Sequence, residues 1–310
     1  MNFKKPKFWD LNKISILSII LLPLSFLYQL INLVTKIFRS QKKFPIPVIC
    51  VGNIYLGGTG KTPLAREIHN IVKSLNQKPA FIKKPYPYLK DEIKMLEKTG
   101  KVFISKNRAF SISKSISDNY DVAILDDGFQ DFSIKPSFSI LCFNSKQLIG
   151  NGFVIPSGPL RENFSSIKRA DCIFINGNKN LEFEKKIKEE NANLKIFYSK
   201  YKIKNPEYFR NKKVVAFAGI GNPQNFFDLL EENNINIKKT FSFPDHHNYS
   251  KNDYSNLIEQ KSNESDVLLL TTEKDYFRLN DKVKENFNYI EVHLEIENKD
   301  KFINFIKSKI

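Results

Sequence analysis

The stretch PVICVGNIYLGGTGKT, residues 47–62, joins an apolar β-branched run to a glycine-rich turn. Val48 to Val51 predict a buried strand, and LAREIHNIVKSL after the turn has the spacing of a helix. Glycines let consecutive backbone N–H groups turn toward a polyphosphate, and the N-terminus of a helix adds partial positive charge. The stretch therefore predicts a phosphate loop, and an ordinary surface turn is the alternative.

The order of residues in this loop predicts a nucleotide site for ATP and Mg²⁺. The residues predicted to hold the nucleotide are Gly57, Gly58, Thr59, Gly60, Lys61 and Thr62. Lys61 would reach the terminal phosphates and Thr62 would hold Mg²⁺. The strict pattern G-x-x-x-x-G-K-[ST] has a glycine where Tyr55 stands here, so the loop departs from it at one position.

Composition limits the possible partners of the chain. The formal charge of +16 suits nucleic acid, an anionic membrane surface or a phosphorylated substrate. No RNA- or DNA-recognition motif accompanies the charge, so we predict no nucleic-acid partner. Cys50, Cys142 and Cys172 lie in strand-like runs without metal-binding spacing, which predicts reduced core cysteines in a cytosolic compartment.

Residues 14–34 carry no charge and predict a segment that contacts lipid. Basic residues flank it on both sides: Lys4, Lys5, Lys7 and Lys13, then Lys36, Arg39, Lys42 and Lys43. Four polar residues, Ser18, Ser25, Gln29 and Asn32, share one helical stripe, and Pro23 can kink the helix. We favour an interfacial or re-entrant helix over a transmembrane one, with a soluble core helix as the third alternative.

The segment DNYDVAILDDGFQD, residues 118–131, ends a predicted buried strand with two acids, Asp126 and Asp127. Open α/β sheets bind ligands at the carboxyl ends of their strands. Acids placed there can hold Mg²⁺ or take a proton from an acceptor hydroxyl. A solvent-facing Asp-Asp-Gly turn is the alternative.

Two further segments carry candidate site residues. Arg161 and Glu162 end the irregular stretch GNGFVIPSGPLRE, where the arginine either grips a phosphate or pairs on the surface. His246 and His247 follow Asp245, which makes them candidates for proton transfer. The alternative is that Asp245 caps a helix beside half-exposed histidines. Metal binding has less support, because no cysteine or third histidine lies nearby.

The pattern of strands and helices restarts after residue 205, with VVAFAGIGNP, QNFFDLLEENN and DVLLLTTEKD. The predicted fold is α/β: a mostly parallel sheet domain like that of phosphate loop NTPases, a smaller α/β domain and an N-terminal membrane-associated helix. The predicted boundaries are 1–43 for the N-terminal segment, 44–205 for the phosphate loop domain and 206–310 for the smaller domain.

Seven motifs, in this order, resemble the tetraacyldisaccharide 4'-kinase family, the lipid A 4'-kinases. They are GNIYLGGTGKTP, ILDDGFQ, GNGFVIPSGPLRE, RADCIFING, AGIGNPQNFF, FPDHHNYS and TTEKD. The resemblance implies ATP- and Mg²⁺-dependent phosphorylation of the 4'-hydroxyl of the lipid A disaccharide precursor, tetraacyldisaccharide 1-phosphate, which gives lipid IVA. It places the reaction on the cytoplasmic face of the bacterial inner membrane, between the two domains, and implies no obligate protein partner.

The resemblance also implies roles for particular residues. Lys61 and Thr62 match the phosphate loop pair, and Asp126 and Asp127 match the acidic pair; we assign Asp126 with Lys61 to catalysis, and Asp127 with Thr62 to the metal. Arg161 and Glu162 are assigned to the substrate.

Asp91 aligns with the acid of the family's G-D-E element, and His246 with the histidine that partners this acid in proton abstraction. The family's S-R-G-Y-G-R stretch is shortened here to IKKPYPYLKDE, which lacks its arginines. A membrane-associated ATPase of the deviant phosphate loop class is the alternative function. That class has a lysine where Leu56 stands here, which counts against it.

Overall fold

The computed structural model of the protein describes residues 5–10, 14–86, 89–262 and 267–310, so Lys4 and Lys13 of the predicted basic flanks lie outside the described residues. The strands are β1 Val48–Gly52, β2 Pro79–Lys83, β3 Val102–Ile104, β4 Val122–Asp126, β5 Phe138–Asn144, β6 Cys172–Asn176, β7 Lys195–Ile203, β8 Lys213–Ala218, β9 Asn236–Ser242, β10 Val267–Thr272, β11 Phe287–Ile290 and β12 Val292–Ile296. The α-helices are α1 Ile16–Ile20, α2 Leu22–Ile37, α3 Lys61–Ser74, α4 Lys90–Glu97, α5 Arg108–Ser117, α6 Leu181–Glu190, α7 Glu207–Arg210, α8 Pro223–Glu232, α9 Lys251–Ser262, α10 Glu273–Tyr276 and α11 Lys299–Lys307.

The larger of two compact units comprises Lys5–Pro85, Leu96–Lys200 and Glu295–Ile310. Its sheet has the order β12-β7-β6-β5-β1-β4-β2-β3, and the pairs from β7 to β3 are parallel. The inner strands are buried along their whole length, as expected for a parallel sheet with both faces covered. Because β1, β2 and β4 are parallel neighbours, their carboxyl ends meet at one edge of the sheet.

The smaller unit contains Tyr86–Met95 and Tyr201–Leu294. Its sheet has the order β11-β10-β8-β9, again with parallel pairs. An aromatic cluster packs on one face, where Phe217 makes edge-to-face contacts with Phe243, Tyr249 and Phe287. The predicted α/β class with mostly parallel sheets is confirmed.

Neither unit is continuous in sequence. Residues 86–95, including Asp91, belong with the smaller unit, and residues 295–310 return to the larger one. The return has a clear physical cause, since Phe302 of α11 packs against Phe174 and Phe197 at ring-centroid distances of 5.3 and 4.9 Å. The boundaries at residues 43 and 205 stay a prediction.

The N-terminal apolar segment forms α1 and α2, which meet at Leu21 just before Pro23. Its polar stripe faces the larger unit, where the Ser25 hydroxyl donates to the Val154 carbonyl at 2.8 Å and accepts from the Ser157 amide at 3.0 Å. Asn151 donates to the Ser18 hydroxyl at 3.1 Å. The serines therefore attach the helices to the loop that the sequence identified at residues 150–162.

The opposite face of these helices exposes large apolar side chains. Exposure reaches 77% at Ile16, 70% at Phe26 and 83% at Phe38. Within the described ranges, the length and hydropathy needed to cross a bilayer are not found together in any helix. With 16 residues, α2 is about 24 Å long, shorter than the hydrocarbon core of a bilayer.

Candidate active site

The phosphate loop runs from the end of β1 to the start of α3. Gly57 and Gly60 have φ values of +143° and +90°, which other residues rarely adopt, and α3 begins at Lys61 directly after Gly60. The Asn53 side chain donates to the Thr59 hydroxyl at 3.0 Å and to the Tyr55 carbonyl at 2.6 Å. This bracing holds the loop in a fixed shape and leaves the first amides of α3 available for an anion.

The predicted metal-binding hydroxyl of Thr62 donates to the Asp126 carboxylate, with 3.0 Å between Oγ1 and Oδ2. The ammonium of Lys83 also contacts this Oδ2, and both Lys83 and Asp126 are buried. Oδ1 of Asp126 is buried and accepts no hydrogen bond from the described part of the chain. Because the Thr62 hydroxyl gives its proton to Asp126, its lone pairs stay available to a cation.

Asp127 contacts two cations, Arg161 at 2.8 Å and Lys61 at 3.8 Å. Burial alone would raise the pKa of Asp127, but the charges of Lys61, Arg161 and Lys83 outweigh it and hold this pKa well below its usual range. The residue has a φ of +61°, in the left-handed region that residues other than glycine rarely adopt. Asp127 therefore stays ionised beside the phosphate loop lysine.

Arg161 and Glu162 are both held by side chains, through Gln130 and Arg169. Gln130 accepts from Arg161 at 3.3 Å and donates to Glu162 at 3.0 Å. Arg169 binds Glu162 with both Nη atoms, at 2.8 and 3.0 Å, and its guanidinium lies over the Phe129 ring. Arg161 is thus placed beside the acidic pair, whereas Glu162 already has an arginine partner.

Sequence reasoning missed Lys83 and Arg108. Arg108 donates to the backbone carbonyl of Asp127 at 2.7 Å and to the Asp131 carboxylate at 2.9 Å. Lys84 also pairs with Asp131, at 3.0 Å. Lys83 ends strand β2 at the edge of the sheet where ligands bind, but a lysine that ends a strand is usually solvated, so its position alone does not identify it. Arg108 starts α5 and carries no such signal.

Gly52, the last residue of β1, lies against the loop that follows Asp127. A Cβ atom at Gly52 would come within 2.5 Å of the Phe129 Cβ, closer than such atoms can approach. The end of β1 and the acidic turn therefore pack directly against each other at Gly52, where there is no room for a side chain.

In the smaller unit, Arg278 is the centre of a cluster that contains Asp91 and His246. Both Nε and Nη2 of Arg278 donate to Oδ2 of Asp91, at 2.8 and 2.6 Å, and Nη2 lies 3.3 Å from Nδ1 of His246. Nη1 donates to the Gly219 carbonyl at 2.7 Å and to Asp275 at 3.0 Å. The structure thus brings Asp91 and His246 into one unit, and Arg278 bridges them.

His246 lies between two cations. Its Nε2 is 3.5 Å from the Lys274 ammonium, and Nδ1 faces Arg278. Burial, followed by the charge of Lys274, lowers the pKa of His246, and the nearby acids Asp245 and Asp91 oppose this only in part. The imidazole is therefore neutral at pH 7.

The neighbouring residues of the FPDHH motif have structural partners. His247 pairs with Asp253 at 3.0 Å and stacks on Phe243. Ser250 and Asp253 exchange side-chain-to-backbone hydrogen bonds at the start of α9, which begins at Lys251. The Asp245 carboxylate accepts from the His246 amide at 3.0 Å, and Ser250 is the residue that directly precedes α9.

The donor set near the phosphate loop suits a hard cation such as Mg²⁺, which is bound through oxygen atoms with some positions left to water and phosphate. Among the described residues, no group of three or more His, Cys, Asp or Glu side chains gathers as a dedicated metal cage. The Thr62 hydroxyl and the unpartnered Oδ1 of Asp126 supply two oxygens. Asp127, predicted as the metal ligand, instead faces Lys61 and Arg161.

Comparisons with known proteins agree with this geometry. The family model described as "Tetraacyldisaccharide-1-P 4'-kinase" matches residues 17–310. The tetraacyldisaccharide 4'-kinase of Pelagibacter ubique (strain HTCC1062) is 41% identical over 98% of this chain and 97% of its own length. The protein of the same name from Rickettsia felis (strain ATCC VR-1525 / URRWXCal2) is 32% identical over 95% of this chain and 94% of its own length.

Among solved structures, LpxK from Aquifex aeolicus in complex with ATP is similar to this chain. The TM-score is 0.71 at 25% identity, and the match covers 95% of this chain and 99% of the Aquifex protein. The family match and the identity to relatives both extend over nearly the whole chain. The protein therefore belongs to the tetraacyldisaccharide 4'-kinase family.

Proposed function

We propose that the protein transfers the γ-phosphoryl group of ATP to the 4'-hydroxyl of tetraacyldisaccharide 1-phosphate, giving lipid IVA. The observation that carries the proposal is the start of α3, where Lys61 and Thr62 each contact one of two adjacent acids, Asp127 and Asp126. Phosphoryl transfer needs this combination, because its transition state is stabilised mainly by positioning and by positive charge.

In this proposal the glycine-rich loop and α3 bind the phosphates through backbone amides, and Lys61 leaves Asp127 to reach the terminal phosphate. Thr62 and Asp126 would hold Mg²⁺, since the Thr62 hydroxyl lies against the Asp126 carboxylate and Oδ1 of Asp126 accepts no hydrogen bond from the described residues. When bound, Mg²⁺ would neutralise charge on the β- and γ-phosphate oxygens. Arg161 is already beside Asp127 and adds a further positive charge. Glu162 holds Gln130 and Arg169 in place.

We assign removal of the acceptor proton to the smaller unit. Asp91 is the proposed base and His246 its partner, because both belong to one cluster and His246 is neutral. A sugar hydroxyl loses its proton during or after attack, so an acceptor beside it lowers the barrier. Asp126 is less suited to this step, since Thr62 and Lys83 occupy one of its oxygens and the other is assigned to the metal.

We further propose that α1 and α2 lie in the interface of the cytoplasmic leaflet of the inner membrane. Their serines bind the larger unit, and their exposed face carries Ile, Leu and Phe side chains. Lys36, Arg39, Lys42 and Lys43 follow this face and suit anionic headgroups. This arrangement would bring the enzyme to a substrate whose acyl chains hold it in the bilayer.

The proposed activity predicts that the purified protein forms a radiolabelled lipid from [γ-³²P]ATP and tetraacyldisaccharide 1-phosphate in detergent micelles. Product mobility on thin-layer chromatography and release of label by a phosphomonoesterase identify the new phosphate ester. ATP hydrolysis without any labelled lipid would contradict the proposal and favour the ATPase alternative.

The membrane proposal predicts that Phe26→Asp, Ile31→Asp and Phe38→Asp, combined in one variant, weaken binding to vesicles of phosphatidylethanolamine and phosphatidylglycerol at least tenfold. Each change removes exposed apolar area and adds a charge repelled by the anionic lipid. Vesicle co-sedimentation measures the partition coefficient.

A control variant places aspartate at two exposed apolar positions elsewhere on the larger unit, Phe110→Asp with Leu181→Asp. The control should bind vesicles like the unaltered protein. Equal loss in both variants would show that charge alone, and not the helical face, governs binding.

A further inference from the structure

Arg278 contacts both of the proposed proton-transfer groups, Asp91 and His246. Its side chain is 9% exposed, and its three nitrogens bind the Asp91 carboxylate, the Asp275 carboxylate and the Gly219 carbonyl. Asp275 is itself fixed by the Gly219 amide at 3.0 Å, the Thr272 hydroxyl at 2.7 Å and the Tyr249 hydroxyl at 3.1 Å. The guanidinium plane is therefore held by groups that do not belong to the proton-transfer pair.

The way Arg278 binds Asp91 distinguishes the two carboxylate oxygens. Nε and Nη2 both donate to Oδ2, whereas Oδ1 is buried and receives no hydrogen bond from any described residue. A buried acceptor without a partner costs free energy, and an incoming hydroxyl group would remove that cost. Oδ1 is therefore the Asp91 oxygen that keeps an unused capacity to accept a hydrogen bond.

The contacts of His246 favour one tautomer. Arg278, 3.3 Å from Nδ1, and Lys274, 3.5 Å from Nε2, are both donors without an acceptor, and a neutral ring can accept at only one nitrogen. The shorter contact favours Nδ1 as the acceptor, which places the proton on Nε2, 3.9 Å from the Asp245 carboxylate. The charged and titratable groups around this ring are Arg278, Lys274, Asp245 and Asp91. A second proton would place an imidazolium between two cations, so the ring stays neutral.

We propose that Arg278 is a positioning residue for the acceptor's proton transfer. It occupies Oδ2 of Asp91 so that Oδ1 receives the proton, and it holds His246 as the tautomer protonated on Nε2. Asp91 and His246 are therefore coupled through an arginine. This inference rests on the proposed function, in which Asp91 accepts the proton from the 4'-hydroxyl.

The test is a double-mutant cycle of Arg278→Lys with Asp91→Asn in the full-length kinase. Lysine keeps the charge but cannot give two parallel hydrogen bonds to one oxygen. We expect Arg278→Lys to lower kcat on the order of 10- to 100-fold and to change the KM for ATP less than about threefold. In the Asp91→Asn background, the same change should cost less than about threefold.

Arg210→Lys is the matched control, because this arginine lies on the same unit and donates to the Asn233 carbonyl at an exposed position. Its kcat should equal that of the unaltered enzyme, and thermal unfolding shows whether each variant is folded. A kcat near normal for Arg278→Lys, or an undiminished loss in the Asp91→Asn background, would overturn the proposal. An unaltered enzyme without 4'-kinase activity would instead overturn the proposed function.

A second measurement needs no folded Arg278 variant. In protein labelled with ¹⁵N-histidine, the ring nitrogens of His246 can be assigned by their loss in His246→Gln, since the chain has four histidines. We expect an unprotonated Nδ1 and a protonated Nε2 at neutral pH. The opposite tautomer, or a ring that carries both protons, would contradict the contact with Arg278 on which the proposal depends.

Discussion

Lys61→Ala is expected to lower kcat/KM for lipid phosphorylation on the order of 10³-fold, or about 4 kcal/mol of transition-state stabilisation. Lys61 is the first residue of α3, and its ammonium lies 3.8 Å from Asp127 near the glycine-rich turn. Alanine removes the positive charge that would face the terminal phosphate as negative charge shifts during transfer. The backbone amides of the loop remain, so ATP should still bind, though more weakly.

The Lys61→Ala experiment has a control on the same helix. Lys73→Ala removes an exposed lysine from the last turn of α3 and should leave kcat/KM unchanged. Initial rates over a range of ATP concentrations separate kcat from KM, and thermal unfolding verifies that both variants fold. A Lys61→Ala variant that phosphorylated lipid at a near-normal rate would contradict the prediction that residues 47–62 form a phosphate loop.

Asp126→Asn is expected to lower kcat at least 10²-fold and to raise the Mg²⁺ concentration needed for half-maximal rate. An amide has one acceptor oxygen, no charge, and an NH₂ group that would face either Lys83 or the cation. The substitution also leaves the ammonium of Lys83 buried without its carboxylate, which should cost about 3–5 kcal/mol of stability. Rates are therefore measured well below the unfolding temperature of the variant.

The neighbouring Asp127→Asn is the matched comparison, because the chemical change is the same and the residue is one position away. We expect it to affect the Mg²⁺ requirement much less, since Asp127 contacts Lys61 and Arg161. Magnesium titrations of both variants, by rate and by binding of a fluorescent ATP analogue, decide between them. A larger shift for Asp127→Asn would instead support Asp127 as the metal ligand, which is the prediction made from sequence.

The sequence predicts the sheet of the larger unit well, because each buried strand is an apolar run between polar or glycine-containing segments. The run predicted as a buried strand, Val48 to Val51, lies within β1, Val48–Gly52. The local pattern also locates the acidic pair at the end of β4. The carboxyl end of a buried parallel strand lies at the edge of the sheet where ligands bind, next to the end of β1.

Contacts between distant parts of the chain were not predictable in this way. Arg278 and Asp91 are 187 residues apart, and nothing in the local pattern of α4 shows that it joins the smaller unit. The same holds for Lys83, since a lysine that ends a strand is usually solvated. Its burial follows only from the register that places β2 beside β4 and its terminal acid.

Gly52 has no side chain, and this sets the spacing between β1 and the turn that follows Asp127. A methyl group there would push the turn at Phe129 away from β1, and the carboxylates of Asp126 and Asp127 would move with that turn. An alanine at position 52 would therefore resemble the loss of a cation-binding acid, although every acid remained in place. The phosphate loop and the acidic turn therefore keep their spacing only while position 52 carries no side chain.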